Sequence, residues 1–247
     1  LNAFKNKNYN DMKTKQFVTF FSLLVMLLVS VNVDAQCDKN WASKTYKVGD
    51  FKEVYLEGGY KVFLIQGDEN KIVVKASDED AFDCLRVKRV AGELRLKVKQ
   101  DHFDFSRVVL YITFKELEHV KIEGGVKVET KGYLDLNDFE MYVAGGAKVE
   151  MEMKADNVRI TGEGGIYFEL KGVAKSLDVK ITGAGHVNAE RLKAKNVSIK
   201  IEGVGTGSVY ATETLFAKIE GVGKVSYKGH PKVTKSIDGL GSVKCND

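Results

Sequence analysis

Three carboxylates recur 18 residues apart, Glu202, Glu220 and Asp238, each directly after an isoleucine, Ile201, Ile219 and Ile237. Thr161 and Thr182 hold the same place in earlier copies of the pattern. If the copies stack as neighbouring strands, the acids form a column at roughly 5 Å spacing. Such a column can hold a cation, or raise the pKa of one member until it serves as a general acid. A basic column, Arg159, Lys180, Lys200 and Lys218, stands two residues earlier on each strand. Neighbouring columns of opposite sign are also what a solvated sheet face needs to avoid like-charge repulsion. That second reading is preferred here, so no catalytic, cofactor-binding or metal-binding residue is assigned.

Other residues with chemical potential are dispersed. His102, His119, His186 and His230 show no ligand spacing, and no Cys-x-x-Cys or paired-histidine metal motif exists. Nucleophile-elbow, phosphate-loop and dinucleotide fingerprints are missing. The acidic run Ser77–Asp83 lacks the glycine and the terminal glutamate of a calcium-binding loop, and is read as a solvated turn. No cofactor is expected. The net charge of +4 falls to +2 once residues 1–35, with four Lys and two Asp, are set aside. A balance spread that evenly gives no footprint for nucleic acid.

The elements that would position these columns are repeats. The skeleton Ile-x-Gly-x-x-x-Val recurs at Ile122/Val128, Val143/Val149, Ile160/Ile166, Ile181/Val187, Ile201/Val209, Ile219/Val225 and Ile237/Val243, with an isolated copy at Leu56/Val62. Successive starts in the run of seven are 21, 17, 21, 20, 18 and 18 residues apart, the signature of a solenoid. Alternation puts the keyed residues on one side, so Ile160, Ile181, Ile201, Ile219 and Ile237 are expected as one buried stack. There are 24 glycines against one proline, and 19 of the glycines follow residue 121, as regular backbone turns inside a sheet require. Ile201 and Val209 are eight apart where other pairs are six apart, which predicts an outward bulge at Gly205–Ser208.

Connections of a few residues exclude a helix in each repeat. The expected fold is therefore all-β, a right-handed parallel β-helix of about 18–21 residues per coil over residues 122–247. Residues 36–121 read as a strand-rich N-terminal section that caps one end. Residues 1–11 are an upstream extension. Residues 12–35 read as a secretory signal: Lys13 and Lys15 precede an uncharged run, and Val33-Asp34-Ala35 offers small residues at a cleavage site. Export permits disulfides. The stack should carry Cys245 far from the N-terminal part, which leaves a Cys37–Cys84 pair or no bridge, with Cys245 a buried thiol continuing the inward parity of the last repeat.

The repeated Ile-x-Gly-x-Gly-x-Val copies, the upstream strand-rich segment and the ending Val225–Pro231 … Ile237–Val243 resemble the head GIN domain of autotransporter-type adhesins over residues 45–245. The resemblance implies an exported β-helical protein of adhesin type. No membrane β-barrel of alternating strands closes this chain, so the likeness reaches the passenger-like domain and not self-secretion.

The function expected is a non-catalytic adhesin-like or envelope-structural module, in the periplasm, on the outer membrane surface or secreted. Its partners would be a surface polysaccharide or an envelope protein, with no nucleic acid and no stable membrane insertion after signal cleavage. The alternative is a carbohydrate-active β-helix enzyme, a polysaccharide lyase or hydrolase, working from the Glu202/Glu220/Asp238 face. The last repeat has no successor to pair with, so the chain is expected to be a monomer or a weak end-to-end homo-oligomer.

Overall fold

Apolar residues at every second position make each segment bury one side, and the chain resolves into strands accordingly. A computed structural model describes residues 41–98 and 107–246. The expected signal segment 12–35, Cys37 and His102 lie outside the described residues. The strands are β1 (Ala42–Lys47), β2 (Glu53–Gly58), β3 (Lys61–Gln66), β4 (Lys71–Ala76), β5 (Leu85–Val90), β6 (Glu93–Val98), β7 (Val108–Phe114), β8 (His119–Gly124), β9 (Lys127–Thr130), β10 (Leu134–Asp135), β11 (Asp138–Lys228) and β12 (Lys232–Cys245). A short helix, α1 (Ala81–Cys84), stands in the acidic run. Together the strands make one open, all-β sheet of mixed orientation.

Parallel pairing sets the register. Val143 lies opposite Ile122, Val149 opposite Val128, Ile219 opposite Ile237 and Val225 opposite Val243. The upstream copy is not isolated: Leu56 pairs with Ile122 and Val62 with Val128. A further copy was hidden in the irregular section. β6 runs parallel to β2, Leu96 opposite Leu56, and β7 runs parallel to β3, Leu110 opposite Val62. Spatial order therefore departs from chain order, because β6 and β7 lie before β2 and β3. On their outer sides the pairing turns antiparallel, with β4 on β7, β1 on β4 and β5 on β6.

A column of glycines runs through the copies from β2 onward: Gly58, Gly124, Gly145, Gly164, Gly183, Gly203, Gly221 and Gly239, each after the first over a backbone oxygen of the one before. At Gly221, for example, φ is +122°, and a Cβ would collide with the Gly203 carbonyl. Only glycine meets both demands. This column corrects two readings. Gly164 sits over Gly145 and under Gly183, so Gly162 and not Ile160 faces Ile181, at 3.2 Å from where its Cβ would be. The Ile166 side chain fills the space. An offset of two keeps parity, so Ile160 is still fully buried.

The expected bulge at Gly205–Ser208 is likewise absent. Thr206 meets His186 at an offset of 20, and Ser208 meets Ser226 at an offset of 18. Both ends of the segment are thus in register. Buried Gly207 occupies the valine column, packed against Val225, and the Ile199 side chain takes the volume a valine would need. The two extra residues belong to the preceding copy: Thr212 and Thr214 reach Ala194 and Asn196 at an offset of 18, whereas Gly203 reaches Gly183 at 20.

The core is lined by the keyed aliphatics of successive copies, with Gly162 interrupting their column and Ile160 buried two residues to its side. Leu56, Ile122, Val143, Ile160, Ile181, Ile201 and Ile219 are at most 1% exposed. Ile237 breaks the series at 40% exposed, and Cys245 is exposed, contrary to the expectation that both are buried. They lie on β12, and among the described residues β12 pairs with β11 alone. Nothing in that set closes the interior beyond it.

Candidate functional site

The acid-bearing position is the residue before each glycine of the column. Glu57, Glu123, Glu163, Glu202, Glu220 and Asp238 precede Gly58, Gly124, Gly164, Gly203, Gly221 and Gly239. Register confirms neighbours directly, with Glu57 opposite Glu123 and Glu220 opposite Asp238. The predicted trio Glu202, Glu220 and Asp238 is thus brought together as expected, but it is half of a longer ladder. Glu57 and Glu123 follow the keyed residues Leu56 and Ile122 and were missed because the column was followed only from Ile160 onward; Glu163 was missed because Ile160 lies two residues out of register. Keying on the glycine puts Glu163 in the place assigned to Thr161, with Ala144 and Thr182 interrupting the acids before Gly145 and Gly183.

Four of the six carboxylates are paired with lysines. Lys97 holds Glu57 at 2.6 Å, Lys121 holds Glu123 at 2.8 Å, Lys180 holds Glu202 at 2.9 Å and Lys218 holds Glu220 at 2.6 Å. Tyrosines add to this. The Tyr55 hydroxyl donates to Glu57 at 2.7 Å and Glu123 at 2.5 Å, and that of Tyr142 donates to Glu163 at 2.8 Å. Lys97 lies 4.8 Å from the Tyr55 ring centroid and Lys121 5.4 Å, so each ammonium is shared by a carboxylate and a ring face. Hydrogen bonding to Lys97, then to Tyr55, holds Glu57 below the ordinary carboxylate range. Lys121 does the same for Glu123, and Lys180 for Glu202. Lys218 is raised by its bond to Glu220. Burial, then Glu123, pushes the Tyr55 phenol up.

Chemically this is the reverse of an acid–base site. A general acid at neutral pH needs a raised carboxyl pKa, and a lysine base needs a lowered one. Nor does the ladder form a cation cage: among the described residues no group of three or more His, Cys, Asp or Glu is placed to hold a metal ion. The ladder is a braced sheet face.

Among the described residues the histidines do not converge. His119 faces Glu140 at 3.7 Å, and His186 stacks on Tyr167 with ring centroids 5.2 Å apart and Nδ1 2.6 Å from the Thr206 hydroxyl. Cys84 is half-buried at the end of α1.

A groove that sequence reasoning did not find lies at the corner where the copies turn. It encloses about 660 Å³ above a floor of Leu117, Leu136, Phe139 and Val158. Its walls carry exposed polar groups that brace one another. Asn157 Nδ2 donates to Asp138 at 2.6 Å, the Ser176 hydroxyl donates to Asn157 at 2.6 Å, and Arg159 lies 3.8 Å from Asp178. Gln66 donates to the Asp135 carbonyl at 2.9 Å and accepts from its N–H at 2.7 Å. The signal was present in the sequence: Asp138, Asn157 and Ser176 are spaced by 19, the offset of their bonds.

An open all-β sheet built from stacked copies, four of its six ladder carboxylates paired with lysines, defines a repeat protein with surfaces for contact. The sequence matches the family described as "Putative auto-transporter adhesin, head GIN domain" over residues 50–231, and the chain belongs to that family. Among curated proteins none matches it. Solved structures share the fold. A "putative adhesin" from Bacteroides fragilis NCTC 9343 superposes with a TM-score of 0.79 at 21% identity, covering 85% of this chain and 98% of that one. A "putative adhesin" from Parabacteroides merdae ATCC 43184 gives 0.65 at 23%, with coverage of 85% and 98%. A "putative lipid binding protein" from Parabacteroides distasonis ATCC 8503 gives 0.63 at 23%, again covering 85% and 98%.

Proposed function

We propose that this chain is an exported, non-catalytic contact protein of adhesin type whose repeats wind as a right-handed parallel β-helix. The observation that carries the reading is the lysine-paired ladder. The outward face on which a β-helix enzyme would mount its carboxylates instead holds pairs such as Lys180–Glu202 and Lys218–Glu220, with Glu202 lowered and not raised. Repeats at regular offsets, with parallel pairing from β8 to β12, support the winding. The antiparallel strands β1, β4 and β5 then serve as its N-terminal cap. Among the described residues no helix is long and apolar enough to cross a membrane.

The groove is the contact site we assign to a polysaccharide. Amides, carboxylates and one guanidinium around an apolar floor are the groups that recognise sugar hydroxyls and the apolar faces between them. Carboxylates outnumber cations on its walls, so neutral or amine-bearing sugars suit it better than acidic ones. Protein contact has its own support in the exposed ridge Val204, Val222 and Leu240, which repeats along the copies at 60%, 49% and 75% exposure. Glycan arrays and product-release assays on polysaccharides test the reading together. Binding without product, weakened by Asn157→Leu with Arg159→Leu, is the expected result. Product release abolished by Glu220→Gln would replace it with the enzyme reading. Protease shaving of intact cells separates surface exposure from a periplasmic location.

A further inference from the structure

Strands with one face in the core and one in water should alternate apolar and polar, and β3, β4 and β7 do not. They read Lys-Val-Phe-Leu-Ile-Gln, Lys-Ile-Val-Val-Lys-Ala and Val-Val-Leu-Tyr-Ile-Thr-Phe. Val62, Leu64, Ile72, Val74, Leu110 and Ile112 are fully buried in the core. Phe63, Ile65, Val73, Val109 and Tyr111 have the other parity, so they share the outward face, and all five are half-buried. Register sets them side by side. Phe63 and Val73 both lie opposite Tyr111, and Val109 lies opposite both Lys61 and Lys75.

The rings of Phe63 and Tyr111 stack with centroids 5.1 Å apart and planes 22° from parallel. Cations crowd them. Lys131 lies 4.6 Å from the Phe63 centroid and 4.7 Å from that of Tyr111, Lys61 lies 4.4 Å from Phe63, and Lys75 lies 5.6 Å from Tyr111. Glu129 takes Lys61 at 3.0 Å and Lys127 at 2.7 Å. Among the described residues no carboxylate pairs with Lys75 or Lys131. Around Tyr55, by contrast, Lys97 and Lys121 each lie over a ring and also hold a glutamate.

We propose that this outward face of β3, β4 and β7 binds an acidic polysaccharide, the ring pair taking the apolar side of a sugar and Lys75 and Lys131 its carboxylates or sulfates. A cation held only by ring faces can turn to an anion, with which it makes stronger, charge-assisted hydrogen bonds. A small anion would leave the five apolar side chains in water, and a neutral sugar would leave both ammoniums unpaired. An acidic sugar satisfies both. A lipid surface fits less well, because half-buried side chains on a flat sheet have nothing to insert below the headgroups. None of these residues lines the groove, so this site stands or falls independently of it.

The test is calorimetric titration of the purified wild-type chain with polygalacturonate, with dextran sulfate, and with vesicles of phosphatidylglycerol and phosphatidylcholine, each variant being checked for folding by circular dichroism. Wild type should bind at least one of the acidic polymers and should not bind the vesicles. Lys75→Gln with Lys131→Gln should weaken polymer binding about tenfold or more. Phe63→Leu and Tyr111→Leu, which keep the charge and an apolar side chain, should each weaken it about fivefold, and either carries the ring arm should the other misfold. Lys224→Gln with Lys232→Gln, the same loss of charge at exposed lysines elsewhere, should change it less than about twofold. Asn157→Leu with Arg159→Leu, in the groove, should leave it unchanged. A wild type that binds neither polymer, or that binds the vesicles more tightly, would overturn the proposal. An equal loss in the two lysine pairs, or ring variants that bind as wild type, would also overturn it, since the attraction would then be one of net charge alone. Loss in the groove variant would do so by moving the acidic polymer to the groove.

Discussion

The N-terminal and C-terminal ends of the stack solve one problem in different ways. A stack of parallel strands leaves an apolar interior and an unpaired edge at each end. At the N-terminal end the chain doubles back: β6 and β7 extend the stack before β2 and β3, and β5 and β4 then cover them antiparallel. Leu94, Leu96, Leu110 and Ile112 are fully buried there. At the C-terminal end the chain follows spatial order to its last strand, and Ile237 is 40% exposed beside fully buried Ile219. Antiparallel strands cover one end, while at the other β12 pairs with β11 alone among the described residues. A column position is thus worth what lies beyond it, not what residue it holds.

The sharpest way to break that comparison is one substitution at both ends of a single pairing. Ile219→Ala opens a cavity in a sealed column and should cost about 2–5 kcal/mol in urea unfolding. Ile237→Ala, one strand further out, should cost less than about 1 kcal/mol, since much of that side chain is already in water. Equal losses would mean that the last strand is covered. A smaller effect sharpens the register within the sealed part. Gly207→Val should lose about 1–3 kcal/mol by overpacking against Ile199, and Ile199→Ala added to it should recover part of the loss. Two losses that simply add would show that the side chains do not compete for one space.

The smallest effect concerns the outer ladder. Glu57, Glu123 and Glu202 have folded pKa values below the ordinary carboxylate value of about 4.3. Groups lowered on folding contribute stability that is complete above the unfolded pKa and is lost as pH falls through the folded one. The melting temperature should therefore be flat from neutral pH to about 5 and decline below about 4. Each pair is exposed, so the decline should be shallow, and Glu202→Gln should flatten it slightly. A melting temperature that rises on acidification would contradict the pairing.

Much of the architecture was legible because alternation survives small errors of register. The strand-rich section expected over residues 36–121 holds β1 to β7. Even offsets hid the mistakes. Ile160 is buried although Gly162 holds its column, and Val209 is buried although Gly207 holds the valine place. Glycine was the better key, because positive φ and contact with the backbone beneath tolerate no substitute, whereas an inward aliphatic can be exchanged or displaced. Parity alone could not show that Ile237 and Cys245 would be exposed, since it gives a side and not what covers that side. The groove escaped because its walls come from corners, where Asp138, Asn157 and Ser176 follow the repeat offset but not the strand pattern.

Amide hydrogen exchange on the intact chain tests the contrast between the two ends most directly. Protection follows the strands on either side of a segment, and sealed interior strands open only with global unfolding. Peptides spanning 93–98 and 108–114 should exchange among the slowest in the protein, because β6 and β7 are paired on both sides. Peptides spanning 232–245 should exchange far faster, with roughly half of their amides unprotected in the folded state. Protection across 232–245 equal to that of 108–114 would contradict the account, for it would mean that the C-terminal end is closed as well.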